Sequence, residues 1–238
     1  MKQNSTFTAG QFPSAIAMII LVSSMALAQD FTVHMKDQDG KAATHYVSRN
    51  AVRDVSSSPV ETDVIYRLDK GTIITLNHKQ KTYTEVTLAE ARQQAEKKAS
   101  NMNPMQQQMM AHMGGGAAPT VTKLGAGETI AGYPTEKYSI KAGIMQSQSW
   151  VTPALELPPG YFDMVIASVG SQVGGFSQFM KAMKTNQIKG YLLKSVGTSS
   201  MPTMQPMTQT NVATSVEKGQ IPPSTFEPPA GYRRALVN

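Results

Sequence analysis

Apolar and polar side chains alternate strictly in the segment Phe31-Thr32-Val33-His34-Met35-Lys36. Successive side chains of a β-strand point to opposite faces, so Phe31, Val33 and Met35 would share the buried face of a half-buried strand. Asp39-Gly40 follows as a tight turn, because glycine readily adopts the positive φ that such turns require. The segment therefore predicts a strand that opens a β-hairpin.

Short strands separated by short turns continue along the rest of the chain. Further strands are predicted at residues 41–48, 51–56, 62–68, 72–76, 81–86, 120–124, 135–141, 146–152, 189–196 and 208–217. Such a succession is typical of an antiparallel meander. We therefore predict a single α+β domain built on one long sheet of roughly ten strands.

Two stretches of helical periodicity interrupt the strands. The first begins at Thr87-Leu88-Ala89-Glu90, which has the form of a capping box. Residues 87–118 are predicted to be a helical insert rich in methionine and glutamine. Residues 161–183 are predicted to form two short helices separated by glycines. Residues 197–207, rich in Met, Pro and Ser, are predicted to be a loop.

The first 28 residues have the composition of an export signal. Lys2 is their only charge, an apolar run from Ala15 to Val22 follows, and Ala26-Leu27-Ala28 is a small-x-small cleavage site. We expect a signal peptide at residues 1–28 and a periplasmic or secreted domain at residues 29–238. No later apolar run approaches the ~20 residues of a membrane-spanning helix, so no transmembrane segment is expected after cleavage.

Composition and motifs argue against several classes of function. The chain has no cysteine for a disulfide or a lipid anchor, and its net charge of +6 is scattered rather than interleaved with aromatics, so no nucleic-acid partner is expected. The four histidines lack metal-ligand spacing: His34, His45, His78 and His112. We interpret these as solvated or singly hydrogen-bonded, and Glu61, Asp63 and Asp69 as solvated surface acids. Since no G-x-S-x-G motif occurs either, we predict a protein that is not an enzyme and has no cofactor.

Methionine is the residue type whose clustering suggests chemistry. Met201, Met204 and Met207 form an M-x-x-M-x-x-M run, and thioethers are soft ligands suited to Cu(I). A second cluster comprises Met102, Met105, Met109, Met110, His112 and Met113. Methionine also serves as a flexible apolar filler, which is the favoured interpretation. Periplasmic Cu(I) binding through these clusters is the alternative function.

Several motifs resemble a known family. They are Gly132-Tyr133-Pro134, Trp150-Val151, Lys189-Gly190-Tyr191 and the ending Phe226-x-x-Pro-x-Gly231-Tyr232. Together with the order of elements, they resemble the bacterial secreted domain-of-unknown-function family 4412 over essentially all of the mature chain. The ending is also similar to that of periplasmic lipoprotein carriers of the LolA/LolB kind. This resemblance implies a curved antiparallel sheet, an incomplete barrel, with helical inserts packed on its concave face, and it carries no function.

An apolar groove between sheet and helices is the site that these features favour. Six aromatic side chains are predicted to line it: Tyr66, Tyr138, Trp150, Phe162, Phe176 and Phe179. Core packing is the favoured interpretation for each of them taken singly. The ligand expected in such a groove is a lipid, an acyl chain or a hydrophobic segment of a partner protein. The sequence therefore predicts a non-enzymatic binder or carrier.

Overall fold

The computed structural model of this protein describes residues 30–56, 62–108, 118–169, 174–200 and 205–236. The strands there are β1 (Phe31–Asp37), β2 (Ala42–Val47), β3 (Ala51–Ser56), β4 (Thr62–Arg67), β5 (Thr72–Asn77), β6 (Thr82–Thr87), β7 (Thr120–Ala126), β8 (Glu136–Ala142), β9 (Met145–Thr152), β10 (Tyr191–Ser199), β11 (Met207–Lys218) and β12 (Arg233–Arg234). The helices are α1 (Leu88–Ser100), α2 (Tyr161–Val169) and α3 (Gly174–Thr185), with a 3-10 helix at Pro223–Phe226. Residues 104–108 are also helical.

The strands form one open sheet in the order β12-β6-β5-β4-β3-β2-β1-β11-β10-β9-β8-β7. Neighbours are antiparallel except for β12, which runs parallel to β6. The meander β1–β6 and the strands β7–β11 meet where β1 pairs with β11. Within the described residues, β7 and β12 are the two edges. The predicted long antiparallel sheet with a few helices is confirmed, with twelve strands, while a concave face covered by helices stays a prediction.

The predicted alternation of β1 is confirmed, since Phe31, Val33 and Met35 are all buried. They belong to the main core, a cluster that also contains residues of β2–β5, β10 and α2. In β4, by contrast, Ile65 and Tyr66 are both buried although they point to opposite faces. Each face of β4 must therefore be covered by a different part of the chain.

The face of β4 that carries Ile65 is covered by residues 219–236, which we call the C-terminal strap. Its Ile221 and Phe226 pack on Ile65, Ile74 and Leu76, while Tyr66 on the other face lies in the main core. The strap ends in β12, whose residues pair with Thr82 and Tyr83 of β6. Arg234 Nη2 also donates to the Glu85 carbonyl at 3.3 Å. The strap thus covers one face of the first meander and occupies its outer edge.

The helix α1 begins as its sequence predicts. The Glu90 N–H donates to Thr87 Oγ1 at 3.2 Å, and the Thr87 N–H donates to Glu90 Oε2 at 2.7 Å, which confirms the capping box. Only Ala91 of this helix is buried, so α1 packs lightly on β6 and α2. Arg92 lies 3.5 Å from Asp163 and links α1 to α2. The rest of the predicted insert, residues 109–117, lies outside the described residues.

The last two long strands extend further than the sequence predicts. Residues 197–199, expected in a loop, belong to β10, and Met207 begins β11. The extension is stabilised by the pairing of Ser199 with Met207 and by a 3.2 Å contact between the Thr198 and Thr208 hydroxyls. Across the portions of the chain described above, no helix combines the length and the apolar character that crossing a membrane would demand.

Candidate functional site

A cleft of about 370 Å³ opens beside the ends of α2 and α3. Its apolar lining is provided by the loop before α2, by both helices and by the turn after α3: Leu157, Pro158, Pro159, Phe162, Met183 and Ile188. Pockets for small ligands span about 300–1,000 Å³ and are mostly apolar with a few polar groups. The cleft therefore has the size and lining to hold a small apolar ligand.

Main-chain hydrogen bonds fix the two walls of the cleft. On one wall, the Tyr161 N–H donates to the Pro158 carbonyl and the Met164 N–H to the Gly160 carbonyl, so α2 begins at the cleft. On the other wall, the Ile188 N–H donates to the Met183 carbonyl at 3.0 Å, which ends α3 in a tight turn. Ile188 is thereby held against the apolar side of α3.

Gly190 holds the segment after α3 against the end of β9. Its φ is +106°, and a Cβ built at this position would lie 2.0 Å from the Thr152 carbonyl oxygen. Any side chain would therefore push the wall of the cleft away from the sheet. The glycine of the Lys189-Gly190-Tyr191 motif is required by this close approach.

Charged side chains surround the opening of the cleft, namely Glu156, Lys184 and Lys189. Lys184 Nζ donates to Asp163 Oδ1 at 2.6 Å and is thereby engaged. Lys189 is exposed and has no ion-pair partner in the described part of the chain. An ammonium group is therefore available at the opening for the acidic end of an amphipathic ligand.

The six predicted groove residues fall into two groups. Tyr66, Trp150 and Phe176 belong to the main core or pack on it. Tyr138, Phe162 and Phe179 belong to the helix–sheet cluster, in which α3 packs on β8 and β9, or pack on it. Among the six, Phe162 alone lines the cleft. No sequence pattern pointed to Leu157, Ile188 or Lys189 as site residues, because their role depends on how the turns before α2 and after α3 approach each other.

A family model for a domain of unknown function, DUF4412, matches residues 12–232. The chain belongs to the DUF4412 family. The matched range includes all the strands but β12, the cleft and most of the strap. A comparison of the DUF4412 chain with curated proteins finds no match.

Among solved structures, the DUF4412 chain is similar to PNGF-II in the C2 and P21 space groups. The identities are 11% and 10%, and the TM-score is 0.45 for both. The alignments cover 87% of this chain and 30% and 31% of the PNGF-II chains, so the protein spans under a third of their length. The LolA/LolB-like fold stays a prediction.

A cluster of polar side chains lies between the DUF4412 sheet and α2. Asp54 Oδ1 is 3.1 Å from His45 Nδ1, and the buried phenols of Tyr66, Tyr161 and Tyr191 lie around this pair. Burial raises the pKa of each phenol well above its ordinary value, and the negative charge of Asp54 raises it further. The three hydroxyls therefore stay protonated and serve as hydrogen-bond donors inside the core.

Asp63 corrects one interpretation drawn from the sequence. Its side chain is only 3% exposed, accepts a hydrogen bond from Arg53 Nε at 3.1 Å and lies 3.0 Å from His78 Nε2. His78 Nδ1 is 2.6 Å from the Tyr232 hydroxyl of the strap. Asp63 is thus a buried structural ion, not a solvated surface acid, and His78 has two partners rather than one. Asp69 pairs with Arg67, and Glu61 lies outside the described residues.

The methionine clusters are only partly within the described residues. Met105 is 76% exposed and Met207, at the start of β11, is 67% exposed. Met201, Met204, Met109, Met110, His112 and Met113 lie outside the described ranges. Within those ranges no group of three or more His, Cys, Asp or Glu side chains could hold a metal ion. Copper binding by methionine stays a prediction of the sequence.

Proposed function

We propose that this protein is a non-enzymatic, exported binder or carrier of a small amphipathic ligand such as a fatty acid or another lipid. The observation that carries this proposal is the cleft between α2, α3 and the loop before α2. Its lining is apolar at Leu157, Phe162 and Ile188, and Lys189 at its opening has no ion-pair partner among the described residues. An apolar chain in the cleft with an acidic group near Lys189 would satisfy both features.

The location expected for this protein is consistent with the proposal. The export signal expected in residues 1–28 would deliver the protein to a space where lipids move between membranes and need shielding from water. The proposal therefore assigns the protein to ligand holding rather than to catalysis.

Filling the cleft tests the proposal. We expect Leu157→Trp to lower the affinity for a fluorescent fatty acid about tenfold, because the indole would occupy space that the acyl chain needs. The matched control is Leu124→Trp, at a position that is 50% exposed on β7 and outside the cleft lining. Fluorescence titration with displacement by unlabelled fatty acid measures both variants.

The two substitutions separate the outcomes of this titration. Loss in Leu157→Trp with retention in Leu124→Trp supports the cleft as the binding site. Unchanged affinity in Leu157→Trp would place the ligand elsewhere, and an equal loss in both variants would show that the effect is not specific to the cleft. If folded wild-type protein takes up no fatty acid, the proposal of a lipid binder is refuted.

A further inference from the structure

One face of the strands β7–β11 carries lysines in a regular row. Lys137 of β8, Trp150 of β9 and Lys194 of β10 lie directly opposite one another, and Val212 of β11 and Lys36 of β1 continue the row. The three lysines thus occupy alternate strands. Because neighbouring strands lie ~4.8 Å apart, the lysines repeat about every 10 Å along the row.

Two further rows of the same face carry hydroxyl and amide side chains. Alternation along the strands places them on the side of Trp150. The first row consists of Thr122, Ser139, Gln148, Val196 and Thr210, and the second of Thr120, Lys141, Gln146, Thr198 and Thr208. None of these positions is Asp or Glu. We call these three rows together the lysine–threonine face.

The charge of this face is largely uncompensated. Lys36 and Lys141 are exposed, and neither they nor Lys137 have an ion-pair partner in the part of the chain that the structure describes. Lys194 is the exception, since its Nζ lies 2.5 Å from Glu128 Oε1. Unpaired ammonium groups on one surface attract an anionic partner.

Trp150 organises the centre of the face without being open to a ligand. Trp150 is only 7% exposed. The Nζ atoms of Lys137 and Lys194 each lie 4.7 Å from the centre of its ring. Gly127 lies against the same indole, since a Cβ there would be 2.6 Å from Trp150 Cδ1. The ring therefore fixes the two lysines through cation–π contacts rather than stacking on a partner.

We propose that the lysine–threonine face binds an acidic polysaccharide. Hydroxyl and amide side chains both donate and accept hydrogen bonds, which matches sugar hydroxyls, whereas phosphate oxygens only accept. The spacing of the lysine row would match every second acidic group of an extended polymer of uronic acids. Among its described residues, the face has no exposed aromatic side chain for stacking nucleic-acid bases, and the exposed Leu124 at its β7 edge is too little apolar surface for entering a membrane. This inference is independent of the cleft.

The sole tryptophan reports directly on this surface. We expect alginate fragments, which are polymers of uronic acids, to change the emission of Trp150 at low ionic strength, and neutral dextran to leave it unchanged. The affinity for alginate should fall as salt is added, because exposed charge pairs are screened. An affinity that salt does not change would overturn the proposal, as would the absence of alginate binding by folded protein.

Two double variants locate the binding. Lys36→Gln with Lys141→Gln removes two lysines of the face that do not contact Trp150, and we expect about tenfold weaker alginate binding. The matched control is Lys97→Gln with Lys98→Gln in the last turn of α1, which changes the net charge equally. Equal weakening in both would show that only total charge matters and refute the site. Tighter binding to duplex DNA or to phosphatidylglycerol vesicles than to alginate at equal charge concentration would also refute it.

Discussion

At the scale of single residues, the glycines that precede tyrosines show both what a sequence pattern reveals and what it leaves out. The motifs Gly132-Tyr133 and Gly231-Tyr232 both lie at turns, where each glycine has a φ of +84°. The reason for glycine at Gly190 is different, because the carbonyl of Thr152 occupies the place of a Cβ. That contact joins two segments far apart in the chain, and no local pattern reports it.

Gly190 and Gly125 form a matched pair for a stability measurement. Both have a φ of +106°, but a Cβ at Gly125 meets nothing within 4 Å. We expect Gly125→Ala to lower the free energy of unfolding by about 1–3 kcal/mol through backbone strain alone. Gly190→Ala should cost about 3 kcal/mol more, because the wall of the cleft must also move. Urea unfolding monitored by Trp150 fluorescence measures the difference, and equal losses would contradict the close approach.

At the scale of elements, strands with one buried face could be predicted from the sequence. The short segments that cover those strands or pair with their edges could not. β1 was visible in the sequence because Phe31, Val33 and Met35 must all reach the same core. β12 has only Arg233 and Arg234, and its pairing with β6 uses main-chain groups that leave no side-chain pattern. Asp63 was misinterpreted for a similar reason, since Arg53 reaches it from β3 and His78 from the turn after β5.

The strap gives a second matched pair. Phe226 is buried against Ile65 and Leu76, whereas Leu236 in the same strap is 90% exposed. We expect Phe226→Ala to lower the free energy of unfolding by about 3–5 kcal/mol, as is usual for a buried phenylalanine. Leu236→Ala should change it by less than about 0.5 kcal/mol. Thermal unfolding measures both, and a small effect at Phe226 would mean that the strap does not form part of the core.

At the scale of the whole molecule, the surface assembled by the sheet was hidden in the order of the chain. Lys36, Lys137 and Lys194 are far apart in sequence and become neighbours only through the pairing of β8 to β1 by way of β9, β10 and β11. The charged residues look scattered along the linear sequence, because the strand pairing that brings these lysines together is not visible there. The cleft depended in the same way on the approach of two turns, although Phe162 could be named beforehand.

Export is the prediction that concerns the whole chain. Mass spectrometry of the periplasmic or secreted fraction should find a mature N-terminus at Gln29, because Ala26-Leu27-Ala28 has the small residues that signal peptidase requires. Replacing Ala28 with Leu should block processing and retain the precursor in the membrane. An uncleaved chain that stays in the cytoplasm would contradict the signal-peptide interpretation.

The two ends of the sheet differ in a way that bears on self-association. At one end, β12 of the strap pairs with β6, and Arg234 of the strap donates to the Glu85 carbonyl of β6. At the other end, the seven-residue strand β7 pairs only with β8 in the described chain. Strand addition between copies needs a free edge on each molecule. In the described chain β7 is the long free edge, so two copies would join β7 to β7, and that junction would consume this edge of both. Growth by strand addition would therefore stop at a pair, and an open-ended fibre would first require the strap to detach.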